Sequence, residues 1–143
     1  MAIQNIFVVG AGLMGSGIAQ NAITSGFDVT LNDKQQAAVE RAQVVIKKAL
    51  AREVSKGRMT QGAMDEVLTR LTVDSGMEGA KKADLVIEAI YENLEAKQAV
   101  FTELEDLCPA KTIFASNTSS ISLTALAAAT KRPSRVVGMH FFS

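Results

Sequence analysis

Three glycines in the stretch GAGLMG, namely Gly10, Gly12 and Gly15, follow a short apolar run and open a segment of helical periodicity. In that setting the spacing G-x-G-x-x-G is a dinucleotide turn. Gly10 permits the tight bend, Gly12 admits a pyrophosphate to the backbone, and Gly15 lets helix and strand pack closely. Leu13 and Met14 lie between the glycines, in the first helical turn, whose unpaired N–H groups and positive dipole end suit phosphate. Asp33 follows Gly10 by 23 positions and closes the next extended run. An acid there accepts hydrogen bonds from the adenosine ribose and repels a 2′-phosphate, so the pattern favours NAD over NADP despite the adjacent Lys34. The alternative is that the glycines merely permit packing and Asp33 is a solvated strand end. His140, the only histidine, stands behind the apolar run RVVGM. Imidazole exchanges a proton near neutral pH, although a lone histidine at an apolar strand end is more often a packed or partly exposed structural residue.

The elements that must position these groups alternate regularly. Ile3 to Gly10, Phe27 to Asp33, Thr72 to Ser75, Asp84 to Ala89, Thr112 to Ser116 and Arg135 to His140 read as strands. Helices are predicted over Leu13 to Gly26, Gln35 to Ser55, Gln61 to Arg70, Asn93 to Leu107 and Ser122 to Ala129. Strands that are almost continuously apolar and alternate with helices imply a doubly wound α/β domain. Its six-stranded, mainly parallel sheet is covered by helices on both faces. There is no repeat, low-complexity tract or internal linker.

Composition narrows the partners. Lys plus Arg and Asp plus Glu are 15 each, and Trp is absent, so neither a basic field nor stacking platforms point to nucleic acid. The single cysteine, Cys108, reads as a small buried hydrophobe; it excludes an internal disulfide and, with one histidine, gives no metal motif. No basic leader precedes the first apolar run and no stretch of membrane-spanning length follows, so a cytoplasmic chain without a membrane is expected.

Three further segments, DLVIEAIYENLEAKQAVF, IFASNTSSISLTAL and GMHFFS, occur in that order. With the glycine loop they resemble the NAD-binding domain of the L-3-hydroxyacyl-CoA dehydrogenases, the 3-hydroxybutyryl-CoA dehydrogenases included, over essentially all of residues 1–143. The resemblance implies a Rossmann domain, NAD as cofactor, and interconversion of (3S)-3-hydroxyacyl-CoA and 3-oxoacyl-CoA in fatty-acid metabolism. It implies that His140 accepts the proton of the substrate hydroxyl and that Ser119 hydrogen-bonds the substrate oxygen beside the nicotinamide. Glu92, Lys97, Asn117 and Ser143 match cofactor-side residues, Ser143 standing where HFFN is frequent. Lys56 matches a lysine near the coenzyme A phosphates, and Lys47, Lys48 and Arg52 extend a basic succession before it; Ala49 stands where many members carry a hydroxyl. Ser120 and Ser122 are expected to be structural.

Read without the resemblance, Glu92 and Lys97 are better taken as a solvated salt-bridging face, and Ser116 to Ser122 as a polar turn capping a helix. Family members continue into a helical domain that binds acyl-CoA, forms the homodimer and carries a glutamate orienting the histidine. The chain is therefore expected to be the first domain of a longer protein and inactive alone. Alternatives are a sugar-acid dehydrogenase of the gulonate type and a non-catalytic, crystallin-like dinucleotide binder. Activity with acetoacetyl-CoA and NADH separates the first; Ser119 and His140 together argue against the second.

Overall fold

The sequence builds a sheet that is buried on both faces because its central strand has no polar face to offer. In the computed structural model, which describes residues 2–118 and 122–139, strand β1 (Asn5–Val9) alternates two apolar sets. Ile6 and Val8 enter one core with Ile18, Ile23, Val29, Leu31, Val39 and Ile46. Phe7 and Val9 enter the other with Val86, Phe101, Leu104, Phe114 and Leu126. The remaining strands are β2 (Asp28–Asn32), β3 (Leu71–Asp74), β4 (Leu85–Glu88), β5 (Ile113–Ser116) and β6 (Val136–Gly138). They stand in the order β3-β2-β1-β4-β5-β6, with every neighbouring pair parallel. This is the doubly wound Rossmann arrangement.

Helices α1 (Leu13–Thr24), α2 (Gln36–Ser55) and α3 (Gln61–Leu68) supply the first core, and α4 (Leu94–Leu107) and α5 (Leu123–Ala127) the second. Three of the five starts follow side-chain capping chemistry. Thr60, Asn93 and Ser122 accept the backbone N–H of Ala63, Ala96 and Ala125 respectively, as N-cap side chains do. Ser122 is thus structural, as the sequence suggests. No described helix is long and apolar enough to cross a membrane.

Most predicted boundaries lie one or two residues from the observed ones, as where α1 ends at Thr24 rather than Gly26 and α3 at Leu68 rather than Arg70. The predicted sixth strand begins at Arg135, but Pro133–Arg135 forms a single 3-10 turn, because proline pre-sets the first helical residue. The predicted fifth helix extends to Ala129, whereas α5 stops at Ala127 and its end continues as turns.

One side chain closes this half of the molecule. Arg132 donates from Nε to Glu105 Oε2 at 3.1 Å, and from Nη1 to the Pro109 and Thr112 carbonyls at 2.6 and 3.2 Å. Its guanidinium also lies 4.7 Å from the centre of the Phe114 ring. Nearby, burial pushes the Cys108 thiol up to about 11, only partly opposed by Arg132, so this buried sulfur stays protonated. Arg132→Ala should cost about 3 kcal/mol, since it strands a half-buried carboxylate and several carbonyls. Arg132→Lys should recover little of it, because an ammonium cannot span those acceptors. Urea unfolding checks this; a midpoint unchanged by Arg132→Ala would contradict it.

Candidate functional site

The strand order reverses at β1, with β2 on one side and β4 on the other, and this opens a crevice at the carboxyl ends of the strands. The glycine loop leaves β1 into that crevice. Gly10 has φ +108°, and a Cβ there would lie 2.5 Å from the Ala89 carbonyl oxygen. A side chain is excluded both by conformation and by contact. At Gly15 a Cβ would lie 1.6 Å from the Gly10 carbonyl oxygen, so helix and loop touch backbone to backbone. Gly12 is different: a Cβ there would meet nothing within 4 Å. It is the N-cap of α1, which no side chain caps. Leu13, in the first turn, is 82% exposed, and Met14 is half-buried against the core. The loop therefore presents open space in front of a helix N-terminus, the cradle a pyrophosphate requires.

Asp33 is held against this loop. Its Oδ2 accepts the Ala11 N–H at 3.1 Å and its Oδ1 the Gln35 N–H at 3.0 Å. Behind it the buried Asn32 fixes the end of β2. Its carbonyl accepts the Gly10 N–H at 2.7 Å, and its amide donates to the carbonyls of Asp74 and Gly76 at 3.2 and 2.7 Å. Asp33→Asn preserves size and one acceptor but removes the charge. It should weaken NADH binding about tenfold, the worth of one charge-assisted hydrogen bond, and shrink the margin over NADPH. Competition titrations with both nucleotides measure this; unaltered ratios would contradict it.

Across the crevice, the ends of β4 and β5 meet in a buried ionic cluster. The Glu88 and Lys97 side chains are both 0% exposed, with Lys97 Nζ 2.6 Å from Glu88 Oε2. The same ammonium lies 3.4 Å from Glu92 Oε1 and donates to the Ile90 carbonyl at 3.3 Å. Ser116 donates to Glu88 Oε1 at 2.5 Å, and Thr118 donates to Glu92 Oε1 at 2.9 Å. The alternative of a solvated Glu92–Lys97 face is corrected here: the pair exists, but its lysine is wholly buried. Sequence reasoning missed Glu88 and Ser116. One signal was available, since Lys97 occupies the apolar stripe of α4 with Phe101 and Leu104, where an unpaired lysine is not tolerated.

Asn117 lies beside this cluster, its N–H donating to the Glu88 carbonyl at 2.9 Å. Lys56 does not join these groups. It is exposed at the far end of α2, about 30 Å of helix from Gln36 at the crevice. Lys47, Lys48 and Arg52 are exposed on the same helix. Ser119, Ser120, His140 and Ser143 lie outside the described residues. Of their described neighbours, Met139, which follows β6, donates its N–H to the Ser116 carbonyl at the end of β5 at 3.1 Å.

Comparison with known proteins agrees with this geometry. A family model described as "3-hydroxyacyl-CoA dehydrogenase, NAD binding domain" matches residues 5–143. The chain is 48% identical over 143 residues to a probable 3-hydroxybutyryl-CoA dehydrogenase of Bacillus subtilis, covering 100% of this chain and 50% of that protein. It is 43% identical over 141 residues to the 3-hydroxyadipyl-CoA dehydrogenase of Escherichia coli, covering 99% and 30%. Among solved structures it resembles a 3-hydroxybutyryl-CoA dehydrogenase of Escherichia coli, with TM-score 0.96 and 42% identity over 100% of this chain and 30% of that one. A (S)-3-hydroxybutyryl-CoA dehydrogenase of Ralstonia eutropha gives TM-score 0.95 and 38% identity over 99% and 50%. The chain spans half or less of the length of these relatives.

Proposed function

Because the chain belongs to the 3-hydroxyacyl-CoA dehydrogenase family and forms its NAD-binding domain, we propose that it serves an oxidoreductase interconverting (3S)-3-hydroxyacyl-CoA and 3-oxoacyl-CoA. The observation that carries this reading is the contrast among the three glycines: two are closed by backbone contact, and Gly12 alone opens onto the crevice beside Asp33. When bound, NAD supplies the hydride acceptor and donor for C3 of the substrate. The chain's own residues do the rest. The first-turn N–H groups of α1 hold phosphate, Asp33 accepts from the adenosine ribose, and Glu92 and Asn117 line the nicotinamide side. His140 takes the proton from the 3-hydroxyl and returns it in the reductive direction. Ser119 hydrogen-bonds the same oxygen, since a hydroxyl donates to a carbonyl and accepts from an alcohol.

The acyl-CoA, with Lys56 toward its phosphates, and dimerisation belong in this reading to a whole protein with a second, helical half. A cytoplasmic setting, in which the lone thiol of Cys108 stays reduced, fits it. The test is a fusion of residues 1–143 to the carboxyl-terminal half of the Bacillus subtilis relative. Acetoacetyl-CoA should drive NADH oxidation by the fusion and not by residues 1–143 alone. Turnover of a sugar acid but not of the thioester would overturn the substrate assignment.

A further inference from the structure

Glu88 lies where a carboxylate is expensive. It ends β4 in the middle of the sheet, in register with Val9 of β1 and Ser116 of β5, and is 0% exposed. A buried carboxylate is tolerated only when paired and fully hydrogen-bonded. Here it receives the Lys97 ammonium at 2.6 Å, the Ser116 hydroxyl at 2.5 Å and the Ile90 N–H at 2.7 Å. Such a cluster commonly stabilises a fold no better than apolar side chains of the same volume, so a gain in position is the more informative reading. What it positions is specific. The two carboxylates and one ammonium carry one net negative charge, and Glu92 is the only member with a solvent-facing surface, 37% exposed. Lys97 is closer to Glu88, at 2.6 Å, than to Glu92, at 3.4 Å. Glu88 thus keeps the ammonium inward while Glu92 stays at the rim, braced by Thr118. Three chain segments bordering the crevice converge on the Glu88–Ser116 pair. Ile90 leads to Glu92, Asn117 is bonded to the Glu88 carbonyl, and Met139 is bonded to the Ser116 carbonyl.

We propose that Glu88 is a positioning residue for the cofactor crevice, acting through Lys97 on Glu92 and through Ser116 on the end of β5. This rests on the assignment of the crevice to NAD. Glu88→Gln retains size, its Oε1 accepting from the Ile90 N–H and its Nε2 donating to Ser116 Oγ, but it removes the nearer negative charge, so the ammonium turns toward the Glu92 carboxylate and draws it inward. NADH affinity of residues 1–143, followed by fluorescence titration, should fall about tenfold, as when one charge-assisted hydrogen bond is lost. The melting temperature should fall as well, because the buried ammonium loses its nearer, fully buried carboxylate.

The double variant Glu88→Gln/Lys97→Met separates the two roles. Removing the ammonium should return the melting temperature toward wild type, while NADH affinity stays down because Glu92, though still bonded by Thr118, is no longer held in place by the ammonium that Glu88 positions. Recovery of affinity together with stability would reduce the cluster to a structural role and overturn the proposal. NADH binding of Glu88→Gln equal to wild type would overturn it too. Failure of the wild-type chain itself to bind NADH would instead remove the crevice assignment on which the proposal stands.

Discussion

Gly12→Val is expected to weaken NADH binding by residues 1–143 at least about a hundredfold, roughly 3 kcal/mol, while the chain stays folded. The two halves of that expectation have separate causes. The fold is spared because a Cβ at Gly12 meets no atom within 4 Å and the residue has φ −79° and ψ −162°, extended backbone that valine adopts readily. Binding is lost because the isopropyl group occupies the open space in front of the first-turn N–H groups of α1, where a pyrophosphate must approach. Gly15→Ala makes the contrast. Its Cβ would lie 1.6 Å from the Gly10 carbonyl oxygen, so it should destabilise the domain by about 3 kcal/mol or more through overpacking. Thermal melts by circular dichroism together with fluorescence titration distinguish the two. A folded Gly12→Val chain binding NADH as wild type does would show that the crevice is used otherwise.

His140→Ala, in the fusion with a substrate-binding half, is expected to lower kcat about a thousandfold, the contribution of a positioned general acid–base. NADH affinity should stay within about twofold, because the imidazole acts on the substrate oxygen and does not anchor the cofactor. The loss should also flatten the pH dependence of kcat/KM near neutrality, where imidazole titrates. The described approach to this residue is well fixed: Met139 is bonded to the end of β5, and a Cβ at Gly138 would lie 2.7 Å from Leu123 Cδ1. Steady-state rates with acetoacetyl-CoA make the measurement, and a variant retaining wild-type turnover would reject His140 as the proton acceptor.

The fold was legible because its sheet is buried on both faces. Runs such as IFVV and LVI are apolar on both faces, and between them the glycine loop and Asp33 mark where β1 and β2 end. Boundaries were less legible where local chemistry competes with a strand, as at Pro133, whose fixed φ starts a turn just before β6. The glycine loop could be read residue by residue because each glycine answers a different steric demand within one short stretch. The Glu88 cluster could not. Its pairings span nine positions from Glu88 to Lys97 and 28 from Glu88 to Ser116, and they exist only once α4 and β5 pack beside β4. Arg132 was illegible for a similar reason: most of its acceptors are backbone carbonyls, which no residue type announces.

The central claim, that this chain forms a crevice for NAD built on Gly12 and Asp33, is tested most directly by titrating residues 1–143 with NADH and NADPH while confirming the fold by circular dichroism. The result expected is saturable NADH binding, about tenfold or more tighter than NADPH, with the NADH signal lost in Gly12→Val. A folded wild-type chain that binds neither nucleotide, or both equally, would contradict the account.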